Sequence, residues 1–172
     1  MRAEDVTEAR ITERFELAIG NPPFSDCMAR ADDVAGKLGL SPHDYFIARS
    51  IERLKRGGIA AFVSNRWTMD KTNRIARKHI AEMTDLVGAV RLPQAAMLAD
   101  AGTEVMVDVP MFRKRLAGEE GRGDAWLDVR DVRDSNEGEG LLSMNRYFLD
   151  HPTMVLGTHA WTTSGWLDLR LP

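Results

Sequence analysis

The sequence predicts an α/β domain, and three observations carry the prediction. Short apolar runs alternate with stretches of helical periodicity. Glycines and prolines punctuate the junctions. The resulting order is strand, helix, strand, helix, strand, strand, which implies a parallel sheet flanked by helices with room for a final antiparallel strand.

The elements follow in order. Ala3 to Arg14 reads as a helix or a frayed entry segment. Phe15 to Gly20 reads as a short strand, apolar and closed by glycine. Pro22 and Pro23 cannot continue a ladder, so the chain must turn there. Ser25 to Leu40 is a loop with room for a short helix. Ser41-Pro42 marks a helix start, with serine at the cap and proline in the first turn. Tyr45, Phe46, Ala48, Ile51 and Leu54 then recur at helical spacing, and Gly57-Gly58 is expected to end that helix. Ile59 to Val63 reads as a buried strand, Met69 to Met83 as a second helix, and Leu86 to Val90 as a third strand. Gln94 to Ala101 reads as a loop. Val105, Val107 and Val109 alternate within a last strand, Thr103 to Phe112. The organisation expected is a catalytic-type domain over residues 1–115 and an acidic, irregular extension over residues 116–172.

Composition narrows the class. The 172 residues are 44% hydrophobic and 28% charged, ordinary values for a globular protein. The apolar runs are too short to span a membrane, and the charged start has no apolar signal core. Cys27 is the one cysteine, so no internal disulfide forms, and a reduced, cytoplasmic setting is expected. The four histidines lack ligand spacing, so no metal site is expected. The net charge is −3, but it is unevenly spread. Pro42 to Leu92 holds ten Lys/Arg against five Asp/Glu, whereas Leu116 to Pro172 holds five against ten. A basic middle can face phosphates, or it can be the solvated side of two helices.

Asn21-Pro22-Pro23-Phe24 is the motif that carries chemistry. In open α/β sheets, ligands sit outside the carboxyl ends of strands. Methylating an exocyclic amine requires acceptors for its N–H groups, so that the weakly nucleophilic nitrogen is held and made electron-rich. The Asn21 side-chain carbonyl is one such acceptor. The Pro22 carbonyl is a second, aimed by a turn whose φ angles the rings fix. Phe24 can stack on a base, worth roughly 1–3 kcal/mol. A paired base cannot reach such a pocket and must be flipped out. Four residues alone would equally make a structural turn. The strand before them and the glycine-led strand after them favour the catalytic reading.

On these residues the chain resembles the N6-adenine DNA methyltransferases of class I, whose motif Asn/Asp-Pro-Pro-Tyr/Phe is matched in full by Asn21 to Phe24. Gly57 to Asn65 resembles the strand that follows it. Arg91-Leu92-Pro93, Ala101 to Val105 and Asn145 to Gly157 resemble stretches of the large phage- and plasmid-type methylases, some fused to helicases. The resemblance implies a partial Rossmann-like, three-layer methyltransferase sheet, the C-terminal, catalytic-loop half. It implies site-specific transfer of methyl from S-adenosylmethionine to adenine N6 in DNA, as in restriction-modification. Catalytic residues would be Asn21, Pro22, Pro23 and Phe24. Gly20 and Asn21 would touch the cofactor, and Asn65, Arg66 and Trp67 could line a nucleic-acid site; capping the next helix is the plainer role for that triplet.

The sequence departs from the family in two respects. Relatives often carry an aromatic residue near Ala96-Met97, where this chain has none, so an aromatic clamp from that loop is not expected. A Gly-rich cofactor loop belongs well upstream of the motif, but only twenty residues precede Asn21 and none forms Gly-x-Gly after a strand. Gly121-Arg122-Gly123 is a poor substitute. The strand at Phe15 would then lack a neighbour on its cofactor side, an exposed apolar edge. A missing N-terminal half, a partner chain or a homo-oligomer is therefore expected. Two rivals stand beside this reading. One is an amino methyltransferase acting on cytosine N4, RNA guanine or protein glutamine. The other is an inactive remnant that binds DNA or a protein.

Overall fold

The computed structural model describes residues 13–22, 33–97, 105–133, 141–161 and 167–170. The expected entry segment therefore lies largely outside the described residues, as do Pro23, Phe24 and Cys27.

Strand β1 (Phe15–Gly20) has the expected bounds. It pairs in parallel with β2 (Leu54–Phe62), with Leu17 opposite Ile59 and Gly20 opposite Phe62. The two-residue strand β3 (Ser64–Asn65) continues the line of β2. Strand β4 (Thr84–Leu92) lies at the other side, and β5 (Val107–Lys114) runs antiparallel between β2 and β4. The anticipated antiparallel strand is therefore inserted inside the sheet. Its register sets Leu92 and Asn65 both opposite Val107.

Gly57-Gly58 does not end a helix. Helix α2 (Pro42–Glu52), started by Ser41 Oγ accepting from Asp44 N at 3.2 Å, stops earlier. The glycines lie in β2 instead, where the register with β1 jumps between Phe15–Leu54 and Leu17–Ile59. Gly57 takes φ +79° there, and a Cβ on Gly58 would stand 2.9 Å from the backbone oxygens of Glu16 and Lys55. Glycine is needed for a bulge, where the sequence pattern suggested a cap.

The second expected helix is divided into α3 (Trp67–Asp70) and α4 (Ile75–Met83). Two side chains divide it. The Arg77 guanidinium donates to the carbonyls of Thr68 and Lys71, at 3.2 and 2.7 Å, and so ends α3. Asn73 Oδ1 accepts from Ile75 N at 3.0 Å, an alternative to continuing the helical ladder. A short helix, α1 (Val34–Lys37), is capped by Asp33, whose other carboxylate oxygen accepts from Tyr45 Oη at 2.7 Å. Burial and Asp33 together push the Tyr45 phenol up to about 12.

The sheet face bearing Ala60, Phe62 and Phe112 buries against Tyr45, Ile47, Ala48 and Ile51 of α2 and Ile80 of α4. The opposite face is different at β1: Leu17 is 56% and Ile19 74% exposed. Among the described residues no strand pairs the outer side of β1.

Residues 116–172, expected as irregular, contain two hairpins. Strands β6 (Val129–Arg133) and β7 (Leu141–Asn145) form one, and β8 (Thr158–Trp161) and β9 (Leu167–Arg170) the other. The short helix α5 (Arg146–Asp150) follows β7. Trp126, Leu127, Met144 and Phe148 are buried in the same core cluster as α2 and the sheet. No helix among the described residues is long and apolar enough to cross a membrane.

Candidate active site

The carboxyl ends of β1, β3 and β4 meet at one edge of the sheet, because β1 runs parallel to β2 and β5 runs antiparallel to both β2 and β4. The Gly20 carbonyl accepts from Val63 N at 2.9 Å, which holds the end of β1 against the β2–β3 line. Asn21 follows at once and is exposed, while Pro22 is buried. Among the described residues Asn21 has no hydrogen-bond partner for its side-chain amide. The chain thus sets a rigid, buried proline directly behind an amide facing solvent. Pro23 and Phe24 lie outside the described residues, as do Ser25 and Asp26.

Asn65, Arg66 and Trp67 lie at the same edge, two strand positions beyond the Val63–Gly20 contact. Each has a local task. Asn65 Oδ1 accepts from Trp67 N at 3.1 Å, which starts α3. The Arg66 guanidinium carbon lies 4.3 Å from the Trp67 ring centre, a cation–π contact. Trp67 is 40% exposed, whereas Arg66 is only 7% exposed.

Behind this edge lies a buried layer of charge that the sequence reading missed. Arg91 donates from Nε and Nη2 to the two Asp108 carboxylate oxygens at 2.7 and 2.8 Å. Its Nη2 is also 2.9 Å from Asp70 Oδ1. The guanidinium stacks on Phe148 at 4.1 Å. Burial works against the charge on Arg91, but Asp108 and Asp70 outweigh it and raise its pKa. Burial lowers that of Arg66, partly offset by Asp70 and Asp108. Asp70 Oδ1 also accepts from Asn145 N at 2.9 Å. The Asn145 side chain donates to Met69 O and Trp126 O at 2.7 and 2.8 Å, and it accepts from Tyr147 N at 2.9 Å. A signal was present in the sequence: Asp108 sits within an apolar strand, and Arg91 ends another.

Gly121-Arg122-Gly123 stands at the other edge. Arg122 N donates to Asp85 Oδ1 at 3.0 Å, beside the start of β4. The loop is remote from Asn21 and serves to cap the Asp85 carboxylate. No group of histidine, cysteine or acidic residues able to hold a metal occurs among the described residues.

No protein-family model matches the chain, and no curated protein matches it. Several solved structures do. A modification subunit assigned to a type I restriction enzyme from Vibrio vulnificus YJ016 is 16% identical, with TM-score 0.51, over 96% of this chain and 39% of that one. The M protein of the type I restriction enzyme EcoKI is 18% identical, with TM-score 0.48, over 66% and 24%. A protein assigned as a class I S-adenosylmethionine-dependent methyltransferase from Listeria monocytogenes, lmo1582, is 12% identical, with TM-score 0.48, over 67% and 36%. The chain therefore spans well under half the length of each. What the Vibrio likeness shows is the fold: a mixed α/β domain with an open five-stranded sheet.

Proposed function

We propose that the chain carries the amine-holding side of a nucleic-acid amino-methyltransferase that acts on adenine N6 in DNA. One observation carries the reading. Asn21 and Pro22 leave the carboxyl end of β1 at the open edge of the sheet, with the amide exposed and the proline buried. In this role the Asn21 carbonyl accepts from the target amine. Pro22 holds the turn and offers its own carbonyl, and Pro23 and Phe24, which lie outside the described residues, are assigned the rest of the turn and the stacking of the base. Since hydrogen-bond acceptors and orientation are all the chain supplies, its contribution is positional. Asn65, Arg66 and Trp67 would border the bound nucleic acid, with Gly20 and Asn21 on the donor side.

S-adenosylmethionine would supply the methyl group when bound. The described residues do not make a site for it by themselves. None forms a Gly-x-Gly turn after a strand near Asn21, and the outer side of β1 is unpaired. The proposal therefore includes a second polypeptide element against β1: an N-terminal half, a partner chain, or another copy. A modification system like that of the Vibrio subunit is the natural setting, with residues 1–115 forming the methyltransferase half.

A radiolabelled methyl-transfer assay on DNA, with and without co-purifying partner chains, tests the reading. Label in N6-methyladenine after nucleoside digestion is expected, and Asn21→Ala should abolish it with the fold intact. An unchanged rate in that variant would sink the assignment. Label in N4-methylcytosine, RNA guanine or protein glutamine would move the activity to a different amine. Undiminished DNA binding with no cofactor uptake under any combination would favour a binding module. The unpaired edge of β1 is the observation on that side.

A further inference from the structure

A cavity of about 720 Å³ opens at the edge of the sheet opposite Asn21, a volume typical of small-ligand sites. Arg14, Lys55, Arg56, Lys114 and Arg115 line it, with Glu52, Glu82 and Glu119. Two of the acids have cationic partners elsewhere, and the third, Glu82, is largely exposed. Glu52 takes Arg49 Nη1 at 2.7 Å and His79 Nε2 at 3.1 Å. Glu82 lies 3.6 Å from His79 Nδ1. Glu119 pairs with Arg113 and accepts from Leu116 N.

The cations are not so balanced. Lys55 pairs with Glu16, and Arg115 spends its donors on Asp85 and on the carbonyls of Ala81, Glu82 and Thr84. Among the described residues, however, Arg14 and Arg56 form no ion pair, although Arg14 Nη1 donates to Glu52 O at 3.4 Å. Lys114 Nζ donates to Ile51 O at 2.9 Å and Glu52 O at 2.8 Å, the carbonyls that end α2. An ammonium has three N–H bonds, so the third remains for the cavity that Lys114 lines. Burial, together with Arg14, Arg56 and Arg53, outweighs the opposing Glu52 carboxylate and holds the Lys114 pKa below its ordinary value. A concave site where Arg14, Arg56 and Lys114 have no ion-pair partner among the described residues focuses a positive field.

We propose that this cavity binds a phosphate group, held by Arg14, Arg56 and the free N–H of Lys114. A multiply charged oxyanion would relieve the mutual repulsion of these cations and accept several charge-assisted hydrogen bonds at once. The site is separate from the Asn21 edge and stands or falls independently of methyl transfer. The phosphate has two sources, a free phosphate ester of up to nucleotide size or the backbone of a nucleic acid.

Calorimetry on the full chain at low salt, with inorganic pyrophosphate and with a short DNA duplex in separate titrations, decides. Arg14 and Arg56 are exposed, so Arg14→Ala/Arg56→Ala should keep the wild-type circular dichroism. One-to-one pyrophosphate binding that weakens about tenfold or more in the double variant, and likewise in Lys114→Met, would establish a free-phosphate site. Duplex binding that weakens in the double variant, without pyrophosphate binding, would establish a backbone site. If neither ligand responds to the double variant, the proposal is overturned.

Discussion

Arg91 and Asp108 sit opposite each other on neighbouring antiparallel strands and are joined by two parallel hydrogen bonds, of 2.7 and 2.8 Å, with both side chains fully buried. The pair lies beneath the edge where Gly20, Asn65 and Leu92 end their strands. It fixes β4 to β5 at the point where the chain turns towards that edge.

Removing Asp108 leaves the buried Arg91 guanidinium with Asp70 as its one remaining carboxylate among the described residues. Asp108→Ala should therefore cost about 3–5 kcal/mol, read as a lower urea midpoint. Replacing the whole charged cluster, as Arg91→Met/Asp108→Leu/Asp70→Asn, should recover part of the loss, because Asp70 then no longer stays buried as a carboxylate without the guanidinium. A single-variant loss under about 1 kcal/mol, the surface-pair range, would show that the pair is not a fixed element of the fold.

Asn145 ties three segments together through Met69, Trp126 and Asp70 while capping α5. Asn145→Ala leaves two buried carbonyls and a helix N–H without their partner. The expected cost is roughly 2–4 kcal/mol, from the cap and the unsatisfied acceptors together. Asn145→Asp keeps the cap acceptor but turns a carboxylate oxygen onto the two buried carbonyls, so it should be no more stable than Asn145→Ala in thermal unfolding.

Acid should loosen the loop after β5 first. Burial pushes Asp85 up, but Arg122 N, Arg115 and Arg113 outweigh it and hold its pKa below the ordinary value. Arg113 holds Glu119 down at about 2. A carboxyl whose folded pKa is depressed contributes stability above its unfolded pKa and loses it as pH falls through the folded value. The contribution of Glu119 should thus be complete above its ordinary value of 4.5 and fade down to about pH 2. Asp85→Asn/Glu119→Gln should flatten the stability curve in that window. Chemical denaturation at a series of pH values measures it, and parallel curves would refute the assignment.

The apolar outer edge of β1 should promote self-association at high concentration, since unpaired strand edges template further pairing. Ile19→Lys places a charge on a side chain that is already three-quarters exposed, so stability should change by no more than about 0.5 kcal/mol. Sedimentation velocity should show less concentration-dependent association in the variant. Identical behaviour would mean that this edge is inert.

The sequence by itself determined the elements whose causes are local. The apolar run and following prolines set β1 and placed Asn21 at its end. Ser41-Pro42 set the start of α2, and the apolar run at Leu86 located β4. Each depends on a cap, a ring or a short periodicity that a few neighbours fully specify. Tertiary contact decided the rest. Gly57-Gly58 carries the signature of a helix end, and only the closeness of Glu16 and Lys55 makes it a bulge. Arg77 divides α3 from α4 by reaching back to carbonyls six and nine residues away. The place of β5 between β2 and β4, the burial of Arg91 on Asp108 and the entry of Trp126 and Phe148 into the core all pair residues distant in the chain. Periodicity says which face of an element is apolar, but not which distant segment will cover it, and that choice is made only when the chain closes.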